Sequence, residues 1–153
     1  MPFADLLNRE RIGRVGACLD RDGVLQHVAA LLSQPVEGHG LPALDVAERL
    51  RQRERLATTA LGHGVAIPHA RMPGLDRARA AFVLLDRAVP FAAADARPVD
   101  LVFAMAVPDD DVAGHLAHLG EVAERFSDAG FRDSLRAAGD DRDLARRLLG
   151  TDA

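Results

Sequence analysis

Apolar residues recur at helical spacing in several stretches of the chain and gather into short unbroken runs between them. Val24, Leu25, Val28, Leu31 and Leu32 repeat every three to four positions. Asp20 stands where an N-cap belongs, and Pro35 ends the pattern. Residues 43–55 predict a second amphipathic helix, with Leu44, Val46, Ala47 and Leu50 inward and Asp45, Glu48, Arg49, Arg51, Gln52 and Glu54 outward. Residues 12–19 favour a strand, weakened by Gly13 and Gly16, and residues 38–42 read as a loop. Residues 58–61 and 65–68 predict two short strands around a tight turn at Gly62-His63-Gly64. Residues 79–85 and 99–107 are apolar without alternation, the pattern of strands buried on both faces.

The C-terminal third returns to helical spacing. Pro108 and three aspartates end the last strand, and the acids suit a helix N-terminus. Residues 112–127 then place His115, Leu119, Val122 and Phe126 on one stripe. Asp128 caps a shorter helix carrying Phe131 and Leu135. Asp140 or Asp141 caps a final one carrying Leu144, Leu148 and Leu149. Five strands and five helices, with helices before, between and after strands, predict an α/β fold whose sheet is covered on both faces. No repeat or linker divides the chain, so residues 1–153 are expected to form one domain.

Composition narrows the chemistry. With 153 residues, 48% hydrophobic and 27% charged, the chain can bury a core. Its net charge of −4 and its lack of Trp and Tyr argue against a nucleic-acid binder. All nineteen basic residues are arginine. That excludes Schiff-base chemistry, pyridoxal phosphate attachment and the lysine of a P-loop. The single cysteine, Cys18, excludes an internal disulfide and a Cys-rich metal site, and reads as core rather than nucleophile. Ser33, Ser127 and Ser134 lie in helical sequence, and none sits in a Gly-x-Ser-x-Gly elbow. The longest apolar runs have six or seven residues, against about 20 for a membrane span, and no targeting segment is visible. The expectation is a cytoplasmic protein whose chemistry rests on histidine and carboxylate.

The informative stretch runs from Arg53-Glu54 through Thr58-Thr59-Ala60-Leu61-Gly62-His63-Gly64-Val65-Ala66-Ile67-Pro68-His69. Pro68 fixes its own φ and restricts Ile67, so His69 is presented at a strand end by a stiff backbone. Such ends are where α/β sheets present working residues. Thr58 and Thr59, two of three threonines, stand upstream with hydroxyls able to meet a ring nitrogen or an oxyanion. This stretch resembles the active-site signature of the type-2 EIIA domains of the sugar phosphotransferase system, the fructose, mannitol and nitrogen-regulatory EIIA proteins. That signature reads Arg-Glu, then Thr-Gly-Ile-Gly-x-Gly, a hydrophobic residue and Ala-Ile-Pro-His, and it matches here without a gap. Pro98-Val99-Asp100, Val107-Pro108, His115-Leu116, Leu119, Phe126-Ser127-Asp128 and Phe131-Arg132 are similar to the family's later motifs. The resemblance covers roughly residues 3–150. Ala60 departs from the family's usual Gly and His63 from its common Asn; if residue 60 needs positive φ, Ala60 carries a cost.

The resemblance implies a mixed, roughly five-stranded sheet with helices on both faces and a site at one sheet edge. It implies that His69 is phosphorylated, that His115 stabilises the phosphoryl group, and that Arg53 supplies charge to it. Thr58, Thr59, Gly62 and Gly64 are secondary binding candidates, and Glu54 is expected to pair with an arginine. HPr, or a nitrogen-branch HPr, would donate the phosphoryl group. An EIIB protein would accept it, or the phosphorylated state would act as a signal to a regulatory target. No cofactor, metal, nucleic acid or membrane insertion is implied. An apolar docking face rimmed by arginine is expected around His69. One alternative is a purely regulatory nitrogen-branch EIIA. A less favoured one is a metal-dependent hydrolase in which His63, His69, His115 and His118 converge; His115 and His118 have helical chelating spacing. His27 and His39 read as structural or solvated.

Overall fold

The structure is a computed structural model that describes residues 3–17, 19–35 and 40–150. Two 3₁₀ turns, Phe3–Leu6 and Arg9–Arg11, lead into β1 (Ile12–Val15). The chain continues through α1 (Arg21–Leu32), α2 (Ala43–Leu56), β2 (Ala60–Gly62), β3 (Val65–Ala66) and β4 (His69–Met72). It ends with β5 (Arg79–Val89), β6 (Val99–Pro108), α3 (Val112–Phe126), α4 (Ala129–Arg136) and α5 (Asp141–Leu149). The aspartates predicted as caps hold their helices. Gly23, Gly114, Gly130 and Asp143 donate backbone N–H groups to Asp20, Asp111, Asp128 and Asp140. Each such cap is worth about 1 kcal/mol.

The sheet is mixed, with strands in the order β1-β5-β6-β3-β2. β5 and β6 are antiparallel, β1 runs parallel to β5, and β3 and β4 both run parallel to β6. Alternation on the long central strands separates two cores. Ala81, Val83, Val102 and Ala104 pack under α1 and α2, while Phe82, Leu101, Phe103 and Met105 pack under α3, α4 and α5. Phe126 closes the second core, 5.8 Å from Phe82 and 6.0 Å from Phe103. Helices cover both faces, as the alternation of elements predicts.

The described residues form six strands rather than five. The addition is β4, hidden because Pro68 reads as a stop. Proline lacks an N–H and so removes one rung of the ladder. Val65 pairs with Leu101 and His69 with Met105, the same register on either side of the break. Across the interruption the Met105 N–H donates to the Pro68 carbonyl at 2.9 Å, while the Ile67 N–H turns to the Thr59 carbonyl at 3.0 Å. β5 also runs four residues past its predicted end. The exposed Asp86, Arg87 and Ala88 belong to a register shift before Val89 pairs with Val99.

Two side chains on α2 depart from the predicted faces. Leu44 is 84% exposed, since the first turn of the helix projects past the core. Glu54 is only 4% exposed, because Thr59 offers it two hydrogen-bond donors inside. Cys18, Gly38 and His39 lie outside the described residues. Among the described residues no helix is long and apolar enough to cross a membrane.

Candidate active site

His69 opens β4, which among the described residues pairs with β6 alone and leaves its outer edge without a strand. Ala70 and Met72 point into the core beneath α1 and α2, so His69 and Arg71 take the opposite phase of the strand. The imidazole is held from both ends. Its Nδ1 lies 2.8 Å from the carbonyl oxygen of Ile67, and its Nε2 lies 3.2 Å from Nε of Arg53. A carbonyl can only accept and a guanidinium can only donate. The proton therefore belongs on Nδ1 and the lone pair on Nε2, a tautomer assigned from its partners. The restricted backbone at Ile67-Pro68 puts that carbonyl beside the ring two residues later.

Arg53 lies in the last turn of α2 and reaches the outer edge of β4. Its Nη1 donates to the Ala57 carbonyl at 2.9 Å, which orients the fork. The next residue, Glu54, anchors this helix end. One carboxylate oxygen accepts the Thr59 N–H at 2.8 Å and the other accepts the Thr59 hydroxyl at 2.6 Å. The pairing of Glu54 with an arginine predicted from sequence is thus replaced by a bond to Thr59, whose donors sit inside the turn that the arginines leave.

His115 comes from the first turn of α3, on the stripe with Val122 and Phe126, and is buried. Its ring centroid lies 5.1 Å from that of His69, and its Nδ1 is buried without a hydrogen-bond partner among the described residues. Arg53, His69, Arg71 and His115 line one open hollow of about 580 Å³, together with Arg49 and Leu56. A second hollow of about 310 Å³ lies against His69 and is walled by Thr58, Thr59, Leu61 and Leu119.

Burial and charge both keep the two rings neutral. Burial holds His69 below the ordinary histidine value of 6.5, against the Ile67 hydrogen bond, which favours the charged ring; Arg53 and Arg71 push the same way as burial. His115 is lowered to about 4, first by burial and then by His69, Arg71, His118 and Arg53. The arrangement is a neutral ring nitrogen with a lone pair beside two guanidinium groups, open to solvent on one side.

The structure brings Arg53, His69 and His115 together, sets Thr58 and Thr59 in the wall of the second hollow beside Arg53 and His69, and leaves Gly62 and Gly64 outside both hollows. Thr58 donates its hydroxyl to the Phe91 carbonyl and accepts the Ala60 N–H, so it ties the start of β2 to the loop after β5. Thr59 is engaged by Glu54. Gly62 and Gly64 shape the β2–β3 turn at φ +89° and +80° and line neither hollow. Beneath the turn, Arg136 forks onto Asp100 and donates to the His63 carbonyl, and a Cβ on Gly64 would lie 2.5 Å from its Nη2. Ala60 has no positive φ, whereas His63 does, at +56°. The departure that meets a left-handed backbone is therefore His63, a residue type that tolerates it better than most. The four histidines of the metal-hydrolase reading are not assembled: His63 is exposed in the turn, and among the described residues no three His, Cys, Asp or Glu side chains converge.

Arg71 was not legible as a site residue. Its exposed guanidinium has no hydrogen bond or ion pair among the described residues, and it acts electrostatically on both histidines. The signal was period two: once residue 69 begins a strand, residue 71 shares its face.

Residues 5–150 match the family described as phosphoenolpyruvate-dependent sugar phosphotransferase system, EIIA 2. A nitrogen regulatory protein of Bradyrhizobium diazoefficiens is 39% identical over 140 residues, covering 92% of this chain and 90% of its own length. One from Escherichia coli is 33% identical over 153 residues, covering 99% and 92%. The crystal structure of the nitrogen regulatory protein IIA-Ntr from Neisseria meningitidis superposes with a TM-score of 0.84 at 32% identity, covering 95% of this chain and 97% of that one. The chain belongs to the type-2 EIIA family of the phosphoenolpyruvate-dependent sugar phosphotransferase system and is a phosphoryl-transfer component of that kind.

Proposed function

We propose that His69 is the phosphoryl acceptor and that its Nε2 makes the bond. The observation that carries this reading is the opposed pair of contacts on the ring, Ile67 carbonyl at Nδ1 and Arg53 guanidinium at Nε2. The Nε2 lone pair attacks the phosphorus of a phosphohistidine on an HPr-type carrier. The donor's P–N bond breaks, its electron pair returns to the donor ring, and a new P–N bond forms at Nε2 while Nδ1–H stays on Ile67. The transferring group is loose and metaphosphate-like, so position and positive charge supply most of the rate. Arg53 shifts its donors from Nε2 to the phosphoryl oxygens. His115, 5.1 Å away by ring centroids, places a second nitrogen beside them.

Carrier docking fits the surroundings. Leu56 and Leu61 are exposed in the walls of the two hollows, with Arg49, Arg53 and Arg71 among them. An apolar patch among cations suits a partner with an apolar centre and an acidic rim. The partners are read as an HPr or nitrogen-branch HPr for donation, and an EIIB protein or a regulatory target downstream, acting in the cytoplasm. The span of the family match, residues 5–150, supports treating the chain as one EIIA unit.

The relatives named nitrogen regulatory protein favour the regulatory outcome. A phosphoryl group adds about −2 charge where three arginines now line a hollow, which changes any contact made through that face. The test is incubation with phosphoenolpyruvate, enzyme I and HPr or a nitrogen-branch HPr, read by intact mass beside His69→Ala. One acid-labile phosphoryl group on the parent and none on the variant is expected. Labelling that survives His69→Ala would refute the assignment.

A further inference from the structure

His69 owes its orientation to two contacts that come from different parts of the chain. The Ile67 carbonyl at Nδ1 belongs to the segment between β3 and β4, and the Arg53 guanidinium at Nε2 belongs to the end of α2. Glu54 joins the two. It is buried, it follows Arg53 in the chain, and among the described residues both of its hydrogen bonds come from Thr59, the N–H at 2.8 Å and the hydroxyl at 2.6 Å. The Thr59 carbonyl then accepts the Ile67 N–H at 3.0 Å, one rung beyond the β2–β3 pairing. From Glu54 the bonds thus run through Thr59 and Ile67 to Nδ1 of His69, and they return through Arg53 from Nε2.

A buried carboxylate is costly, and an apolar side chain of the same size would fill the space more cheaply. What the carboxylate supplies is two acceptors at once, set to hold the N–H and the hydroxyl of one residue. Such a fork fixes the end of α2 against the β2–β3 pair. Pro68 restricts the backbone of Ile67, so a shift of Thr59 carries over to the Ile67 carbonyl. With that carbonyl displaced, the proton on Nδ1 loses its acceptor. The neutral ring is then free to carry it on Nε2, where no lone pair remains for phosphorus.

We propose that Glu54 is a positioning residue for phosphoryl acceptance: by gripping Thr59 it holds the Ile67 carbonyl on Nδ1 of His69 and keeps Arg53 in step with that grip. Glu54 lines neither hollow, so it acts through its neighbours alone. Reacting groups must be held to about 0.5 Å, and a misplacement of about 1 Å costs up to a hundredfold in rate. The kinetic part of the proposal rests on the phosphoryl-transfer reading above; the claim about the ring does not.

The test uses the full chain with nitrogen-labelled histidine and compares the parent with Glu54→Ala, Glu54→Gln and Thr59→Val. Ring-nitrogen NMR at about pH 8, where the ring is neutral, reads the His69 tautomer without any carrier. The parent should show Nδ1 protonated, and Glu54→Ala should show both tautomers in exchange. Single-turnover labelling of Glu54→Ala by a phosphorylated HPr-type carrier should slow about tenfold or more at saturation, with half-saturation within about twofold of the parent. Glu54→Gln keeps an acceptor for the Thr59 N–H and gains an NH₂ that the hydroxyl can accept. It should restore the parent tautomer and a rate within about threefold. Thr59→Val keeps the N–H and loses only the hydroxyl, so it should slow labelling about threefold, and it serves where Glu54→Ala fails to fold. A folded Glu54→Ala with the parent's tautomer and rate, a change in half-saturation alone, or a Glu54→Gln as slow as Glu54→Ala would overturn the proposal. A parent that takes no label would instead refute the phosphoryl-transfer reading and leave the ring measurement to decide this one.

Discussion

Acid should loosen the protein through His115, and the size of the effect follows from its surroundings. The ring is buried, its Nδ1 has no partner among the described residues, and two arginines and two histidines add unfavourable charge. Its proton affinity falls from 6.5 in the unfolded chain to about 4 in the fold. Because the folded value is depressed, the unfolded chain binds the proton more readily. His115 thus costs no stability above pH ~6.5, an increasing amount as pH falls, and its full amount below pH ~4. The whole span is worth about 3 kcal/mol and the part reached by pH 5 about 2 kcal/mol. For a chain of this length that is about 4–8 °C in Tm. The assay is urea unfolding of the parent and His115→Gln from pH 7.5 to 5, taking the difference so that other titrating groups cancel. The parent should lose about 2 kcal/mol more than the variant. Parallel slopes, or a parent that gains on the variant as pH falls, would refute the burial argument.

The other predictions concern the site and its supports. Arg53→Gln should slow phosphoryl acceptance about a hundredfold, as loss of a preorganised donor does, with thermal stability little changed; single-turnover labelling measures it. Arg71→Gln should slow it less, about tenfold, and the loss should shrink in high salt because the group is exposed. Glu54→Ala leaves the Thr59 N–H and hydroxyl without their acceptor and should cost about 2–4 kcal/mol by urea unfolding. Gly64→Ala meets Arg136 and Asp100 and a positive φ, and should cost about 2 kcal/mol or more, partly relieved by Arg136→Ala.

Most of the fold was legible because its signals are local. Aspartate caps, helical stripes and the two apolar central strands each follow from a few neighbouring residues. What escaped depends on partners distant in sequence. β4 exists because β6 supplies a ladder on the far side of Pro68, and nothing in His69–Met72 by itself announces a strand. Glu54 turned inward because Thr59 meets it, which a helical wheel cannot register. In the site, the motif located Arg53, His69 and His115, and the structure brings them together. It also pointed to Gly62 and Gly64, whose backbones serve the turn and line neither hollow. Motifs carry residues that build the frame along with those that face the hollow, and spacing does not separate the two. Arg71 needed the strand before its phase could be read.

The central claim is that a neutral His69 presents Nε2, with its proton held on Nδ1 by the Ile67 carbonyl. The most direct measurement is two-dimensional nitrogen–phosphorus correlation NMR on histidine-labelled protein after phosphorylation. One phosphorus signal coupled to Nε2 of His69 is expected, with Nδ1 still protonated. Coupling to Nδ1, or to a nitrogen of His115, would contradict it.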